Sequence, residues 1–116
     1  MTPQEGDRLT VPGRILDTQA SEHFVLRVVG DMATEAGILD GDFIILRRCS
    51  VAVDGEMVVA VVGDDALIRW LFHEGEAVRL ESFSGVLPPI RLPLADLHLR
   101  GAVVGLIRRI GRKGAA

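Results

Sequence analysis

Residues 24–48 read FVLRVVGDMATEAGILDGDFIILRR, and this stretch decides the fold. Phe24, Leu26 and Val28 alternate with Val25, Arg27 and Val29, the period-two pattern of a strand, and the segment from His23 to Val29 is rich in β-formers. Gly30-Asp31 ends it. Met32 to Ile38 has room for one helical turn, with Asp31 as its N-cap and Gly37 just past its end. Asp40-Gly41-Asp42 is a turn signal, since both aspartates can bond nearby backbone and glycine tolerates a left-handed conformation. Phe43 to Leu46 is then an apolar run of buried-strand type.

The same grammar continues in both directions. Asp54-Gly55 turns the chain into Met57–Val62, Gly63-Asp64-Asp65 is a hairpin-type connection, and Ala66–Phe72 follows as a strand. That strand puts Leu67, Arg69 and Leu71 on one side and Ala66, Ile68, Trp70 and Phe72 on the other. Glu74-Gly75-Glu76 turns again into Val78–Leu80, and residues 84–96, with Pro88, Pro89 and Pro93, read as loop. The last element, Leu97 to Ile110, is β-rich and broken by Gly101 and Gly105, which predict bends or bulges. Upstream, residues 1–21 are polar and carry Pro3, Gly6, Pro12 and Gly13, the signature of an irregular arm. Strands at this spacing with at most one short helical turn predict an all-β sandwich or coiled sheet, with an arm over 1–21 and one β-domain over 22–116.

A chain of 116 residues that is 48% apolar supports one core, and 25% charged residues speak against disorder. The net charge of −3 excludes a general nucleic-acid binder, so no direct nucleic-acid contact is expected. Arg108, Arg109, Arg112 and Lys113 crowd the C-terminus, as a solvated tail or as an anion contact. A single cysteine, Cys49, cannot form an internal disulfide and reads as a small apolar residue at a strand end. No apolar run nears the ~18 residues of a membrane span, and the first residues lack a signal-peptide core. A cytoplasmic protein without a membrane partner is therefore expected.

Metal, cofactor and most catalytic motifs fail. His23, His73 and His98 are dispersed and Cys49 has no ligand partner at a metal-site spacing. There is no P-loop, dinucleotide fingerprint or nucleophile elbow. No metal and no cofactor are expected. The acidic pairs Asp40/Asp42 and Asp64/Asp65 sit in turns and read as turn residues rather than an acid–base pair.

Gly30-Asp31, Gly37-Ile38, Asp40-Gly41-Asp42, Asp54–Ala60 and Gly101–Arg108 occur in an order and spacing that closely resembles the C-terminal domain of LexA repressors and UmuD proteins, over roughly residues 22–110. The resemblance implies a LexA/UmuD-type coiled β-sheet and Ser–Lys chemistry, in which a buried neutral lysine deprotonates a serine. Aligned without gaps, the family serine falls on Met32, the family methionine after it on Ala33, and the lysine on Arg69, 37 positions beyond Met32 as in the family. A thioether has no proton to lose, and a guanidinium keeps its proton. The chain is thus expected to be a pseudo-peptidase, with Asp31, Ala33 and Thr34 lining the old cleft. Thr34 is the nearest hydroxyl, and rescue by Thr34 with His73 as base is the remaining catalytic alternative. Arg69 is expected to reach Asp31 or Glu35, or to snorkel to solvent.

What the resemblance implies for function is a dimerising interaction module of the DNA-damage (SOS) response, similar in extent to processed UmuD and bound to a translesion polymerase or to RecA. The alternatives are a regulator forming mixed dimers with a LexA-like repressor and a residual serine peptidase. The strand Leu97–Ile110, taken as an apolar edge, is expected to supply the dimer interface through Val103, Val104, Leu106 and Ile107.

Overall fold

A computed structural model describes residues 4–5 and 22–110 of the chain. They form eight strands: β1 (Gln4–Glu5), β2 (His23–Arg27), β3 (Phe43–Arg47), β4 (Met57–Val62), β5 (Asp65–Glu74), β6 (Ala77–Glu81), β7 (Ile90–Pro93) and β8 (His98–Ile107). All neighbours are antiparallel, in the order β1-β2-β3-β8-β4-β5-β6-β7. Among the described residues, Thr34–Ala36 and Leu94–Asp96 form three-residue 3-10 turns. The mainly β expectation therefore holds. Of the N-terminal arm, Gln4–Glu5 pair with Arg27 and Leu26 of β2, and the rest of 1–21 lies outside the described residues.

The hydrophobic pattern explains why one sheet makes two cores. Leu26, Val28, Ile38, Ile44, Leu46, Val59 and Ile68 pack in one cluster; Ala52, Val58, Ala60, Leu71 and Leu80 pack in the other. Successive residues of β4 go to opposite clusters, Val59 to the first and its neighbours Val58 and Ala60 to the second. An uninterrupted apolar run such as Met57–Val62 suits a strand covered on both faces. The sheet coils enough for each face to fold over itself.

The segment between β2 and β3 is tied down by its own turn residues. The Gly30 N–H donates to Asp40 Oδ1 at 2.6 Å, and the Leu39 N–H donates to Asp42 Oδ2 at 2.7 Å. Gly37 and Gly41 take φ values of 83° and 88°, which side-chain-bearing residues adopt only at a cost. The expected helical turn shrinks to Thr34–Ala36, and Asp31 does not cap it by side chain; its carbonyl accepts the Thr34 N–H at 3.2 Å.

Three expectations need correction. The proline-bearing stretch 84–96 is not all loop: Ile90–Pro93 is β7, at the edge of the sheet, where proline's missing N–H does least harm. Arg108 is no solvated tail residue. Its Nε donates to Asp42 Oδ1 at 2.8 Å, and its Nη2 donates to Asp42 Oδ2 and to the Gly37 carbonyl, each at 2.7 Å. Finally, β8 is not an edge strand but lies between β3 and β4. It serves them with different halves: residues 102–107 pair with β3 and residues 98–102 with β4. Both ladders slip by one residue, between Ile45 and Leu46 and between Val59 and Ala60, next to Gly105 and Gly101 as their positions predicted. A Cβ on Gly101 would lie 2.6 Å from the Arg47 carbonyl oxygen, so only glycine lets the strands approach there.

Asp42 is 3% exposed, and the Arg108 guanidinium holds its carboxyl below the usual carboxylate range, against the opposing effect of burial. An acid whose pKa is depressed on folding adds stability above its unfolded value and loses it as the pH falls through the folded value. Asp42→Asn is expected to cost about 1–2 kcal/mol at neutral pH, discounted because the guanidinium is half exposed. The gap to the parent should close as the pH drops below about 4, measured by urea unfolding across pH.

Candidate functional site

β5 is ten residues long and changes partner along its length. Asp65–Trp70 pair with β4, and Trp70–Glu74 pair with β6. The β5–β6 ladder ends at Trp70 opposite Glu81, so the chain leaves β5 from Ser82 onward, beside Ile68 and Arg69. Phe83 steers that departure, packing edge-on against Trp70 with ring centroids 5.2 Å apart. Opposite runs the 31–35 turn, held by the Asp40 and Asp42 bonds. Between them opens a cleft of roughly 380 Å³, lined by Asp31, Met32, Thr34, Glu35, Ile68, Arg69, Ser82, Ser84 and Leu87.

The two positions singled out from the sequence therefore meet in one cavity. Met32, half-buried, and Arg69, 6% exposed, both line it. Asp31 and Thr34 line it as expected, exposed at its rim. Ala33 does not: it is fully buried in the first core cluster, beneath the cleft. His73 is not part of the cleft either. It lies near the far end of β5, where its Nδ1 stands 2.7 Å from Asp54 Oδ1, and its backbone N–H donates to the same oxygen at 2.7 Å. Thr34 and His73 are thus not brought together.

Sequence reading missed Ser82, Ser84 and Leu87, because they belong to no strand and reach the cleft only where the chain peels away from β5. The Ser82 and Ser84 hydroxyl oxygens lie 3.5 Å apart, and Ser84 Oγ accepts the Val86 N–H at 3.2 Å.

Arg69 behaves differently from the expectation of an ion pair or of snorkelling. Its Nε and Nη1 are sealed from solvent and have no hydrogen-bond partner. Burial alone acts on its proton affinity, pushing it down with no opposing charge to restore it. Asp31 and Glu35 share the cleft but make no ion pair with it among the described residues. A guanidinium nonetheless stays protonated at neutral pH. The cleft is thus lined by a cation, two carboxylates, a thioether and three hydroxyls. Among the described residues no cluster of His, Cys, Asp and Glu has the arrangement to hold a metal ion.

The proposed dimer residues divide by face. Val104 and Leu106 are 50% and 42% exposed, while Val103 packs against the first core cluster and Ile107 is half-buried. On its β4 side, β8 has partners only as far as Ala102, so the backbone edge of 103–107 on that side carries no described strand. Beside it lies a groove of roughly 410 Å³ whose apolar walls include Ala36, Ile38, Met57, Trp70, Val103 and Leu106. No helix among the described residues is long and apolar enough to cross a membrane.

Comparison with known proteins agrees with this architecture. Residues 2–104 match the family described as Peptidase S24-like. The chain is 38% identical over 104 residues to the LexA repressor of Caldicellulosiruptor saccharolyticus, covering 90% of this chain and 50% of the relative. It is 39% identical over 102 residues to the LexA repressor of Zymomonas mobilis subsp. mobilis, covering 87% and 46%. With the LexA repressor of Novosphingobium aromaticivorans it shares 40% over 102 residues, covering 87% and 43%. The chain spans about half the length of the curated relatives it matches. By its sheet, its cleft and this match, the chain belongs to the Peptidase S24-like family and is related to the LexA repressors.

Proposed function

We propose that this domain is a non-cleaving member of its family, a pseudo-peptidase that works as a dimerising protein-interaction module of the bacterial DNA-damage (SOS) response. One observation carries the reading: the two side chains that meet in the cleft at the Ser–Lys positions are Met32 and Arg69. Acyl transfer by this chemistry needs a nucleophile that can lose a proton and a base that can accept it. Met32 has no such proton, and Arg69 has no free lone pair at neutral pH. Ser82, Ser84 and Thr34 offer hydroxyls, but among the described residues the ionisable side chains lining the same cleft are Asp31, Glu35 and Arg69. The cytoplasm, where the SOS machinery works, is the setting this reading implies.

Dimerisation is supported by the unpaired backbone edge of 103–107, the exposed Val104 and Leu106, and the adjoining apolar groove. A second copy pairing antiparallel along that edge would satisfy its amides and cover its side chains at once. The partner is then a repair component such as a translesion polymerase or the RecA filament. Identity of 38–40% to several LexA repressors favours one second reading, a mixed dimer with a full-length repressor that changes its DNA binding indirectly. Capture from cells with damaged DNA separates the two, by recovery of a polymerase or RecA as against a helix-turn-helix repressor.

Replacing the buried cation offers a direct energetic check. An arginine sealed without an acceptor costs free energy that a lysine can escape by giving up its proton. Arg69→Met keeps the length and removes the charge, and is expected to raise the unfolding free energy by about 1–3 kcal/mol in urea titrations. Incubated with RecA filaments and a cleavable LexA repressor, the chain is expected to cut neither itself nor the repressor; fragments on a gel that depend on this chain would refute the pseudo-peptidase reading. Static light scattering at tens of micromolar should give twice the 12.5 kDa chain mass, and Val104→Asp with Leu106→Asp should give the monomer. A monomeric parent protein would rule out the homodimer.

A further inference from the structure

Arg69 presents an unmet requirement for negative charge. It is 6% exposed, with Nε and Nη1 sealed and without an acceptor. A guanidinium has five N–H donors and nothing to accept with, so only an acceptor from elsewhere can satisfy it. The acidic residues of the cleft do not: neither Asp31 nor Glu35 accepts from Nε or Nη1, and burial lowers the proton affinity of the guanidinium. Ser82 and Ser84 stand in the same cleft, 3.5 Å apart. Ser84 Oγ uses a lone pair on the Val86 N–H, which leaves its hydroxyl proton for another acceptor. Leu87 and Ile68 add apolar wall.

We infer that this cleft is a carboxylate-binding site, which takes an aspartate or glutamate side chain from an extended segment of a partner protein. The carboxylate pairs with the Arg69 fork and accepts from the Ser82 and Ser84 hydroxyls, while the apolar wall receives the flanking chain. A carboxylate fits better than a phosphate. Both can meet the planar fork with two parallel bonds, but a carboxylate brings one negative charge rather than nearly two beside Asp31 and Glu35. Entry requires only that the guanidinium turn toward the opening. That motion releases Nε and Nη1 from an unpaired buried state and breaks no hydrogen bond that they make. The inference rests on the non-cleaving reading above, in that a peptide held here is retained and not cut.

The test follows the Arg69 Nε–Hε resonance of the ¹⁵N-labelled full chain by NMR, during titration with a blocked tripeptide carrying a central aspartate and with its asparagine counterpart. The aspartate peptide is expected to shift the resonance saturably and to bind at least about tenfold tighter than the asparagine peptide. Arg69→Met, which is expected to fold, should remove binding as followed by the backbone amides of Ser82 and Ser84. Arg69→Lys should weaken it severalfold, because the charge remains and the fork is lost. Absence of a saturable shift up to about 10 mM peptide overturns the inference, as does an equal response to both peptides. Mass spectrometry of the titrated peptide is read separately: a cut peptide counts against the non-cleaving reading, and the resonance shift alone decides the carboxylate site.

Discussion

Everything in this molecule depends on β8 being bonded on both sides. The strand order places β1 to β3 on one flank and β4 to β7 on the other, and among the described strands only β8 bridges them. It does so by sharing itself, residues 102–107 with β3 and 98–102 with β4, and two register slips accompany two ladders that share only Ala102. The Asp42–Arg108 pair fastens the far end of that strand to the turn before β3. Because Arg108 also reaches the Gly37 carbonyl, the same side chain anchors the segment that carries Met32 toward the cleft. The bridge between the flanks and the placement of the site are thus one piece of structure.

The cleft is a consequence of strand lengths. β5 outlasts its ladder with β6 on one side, and the chain that leaves at Ser82 has to pass Arg69 before it turns. A cavity at that point exists whatever residues stand there. In a fold that places a titratable amine at this position, burial is useful, since desolvation drives the amine toward its neutral, basic form. The same burial is a liability for arginine, which cannot follow. On the reading proposed above, the Met32/Arg69 combination turns a site suited to proton transfer into one suited to holding an anion.

Much of this architecture was legible in residue order. Asp40-Gly41-Asp42 predicts the turn because its aspartates bond their own neighbourhood, and they do, to Gly30 and Leu39. Met57–Val62 predicts a strand because an apolar β-forming run follows the Asp54-Gly55 turn, and its bounds match. Gly101 and Gly105 predict irregularity because a strand interior has little other use for glycine, and both ladder slips fall beside them. The meeting of Met32 with Arg69 was legible too, through the 37-residue spacing shared with a known family. Less legible was what Arg69 touches. Asp31 and Glu35 are close in the cavity, yet the ion pair does not form.

Local chemistry was therefore decided by the amino-acid order: which segments extend, where the chain turns, and which functional groups are present. Those properties depend on backbone conformation and on side-chain character within a few residues. Only the tertiary structure decided that β8 is central rather than an edge, that Arg108 grips Asp42 across 66 positions of chain, and that Ser82 and Ser84 line one cleft with Arg69. The physical reason is that an antiparallel strand carries no mark of its neighbours. Val103 to Ile107 read the same whether two strands flank them or one, and the choice emerges from how both sheet faces bury their apolar residues together.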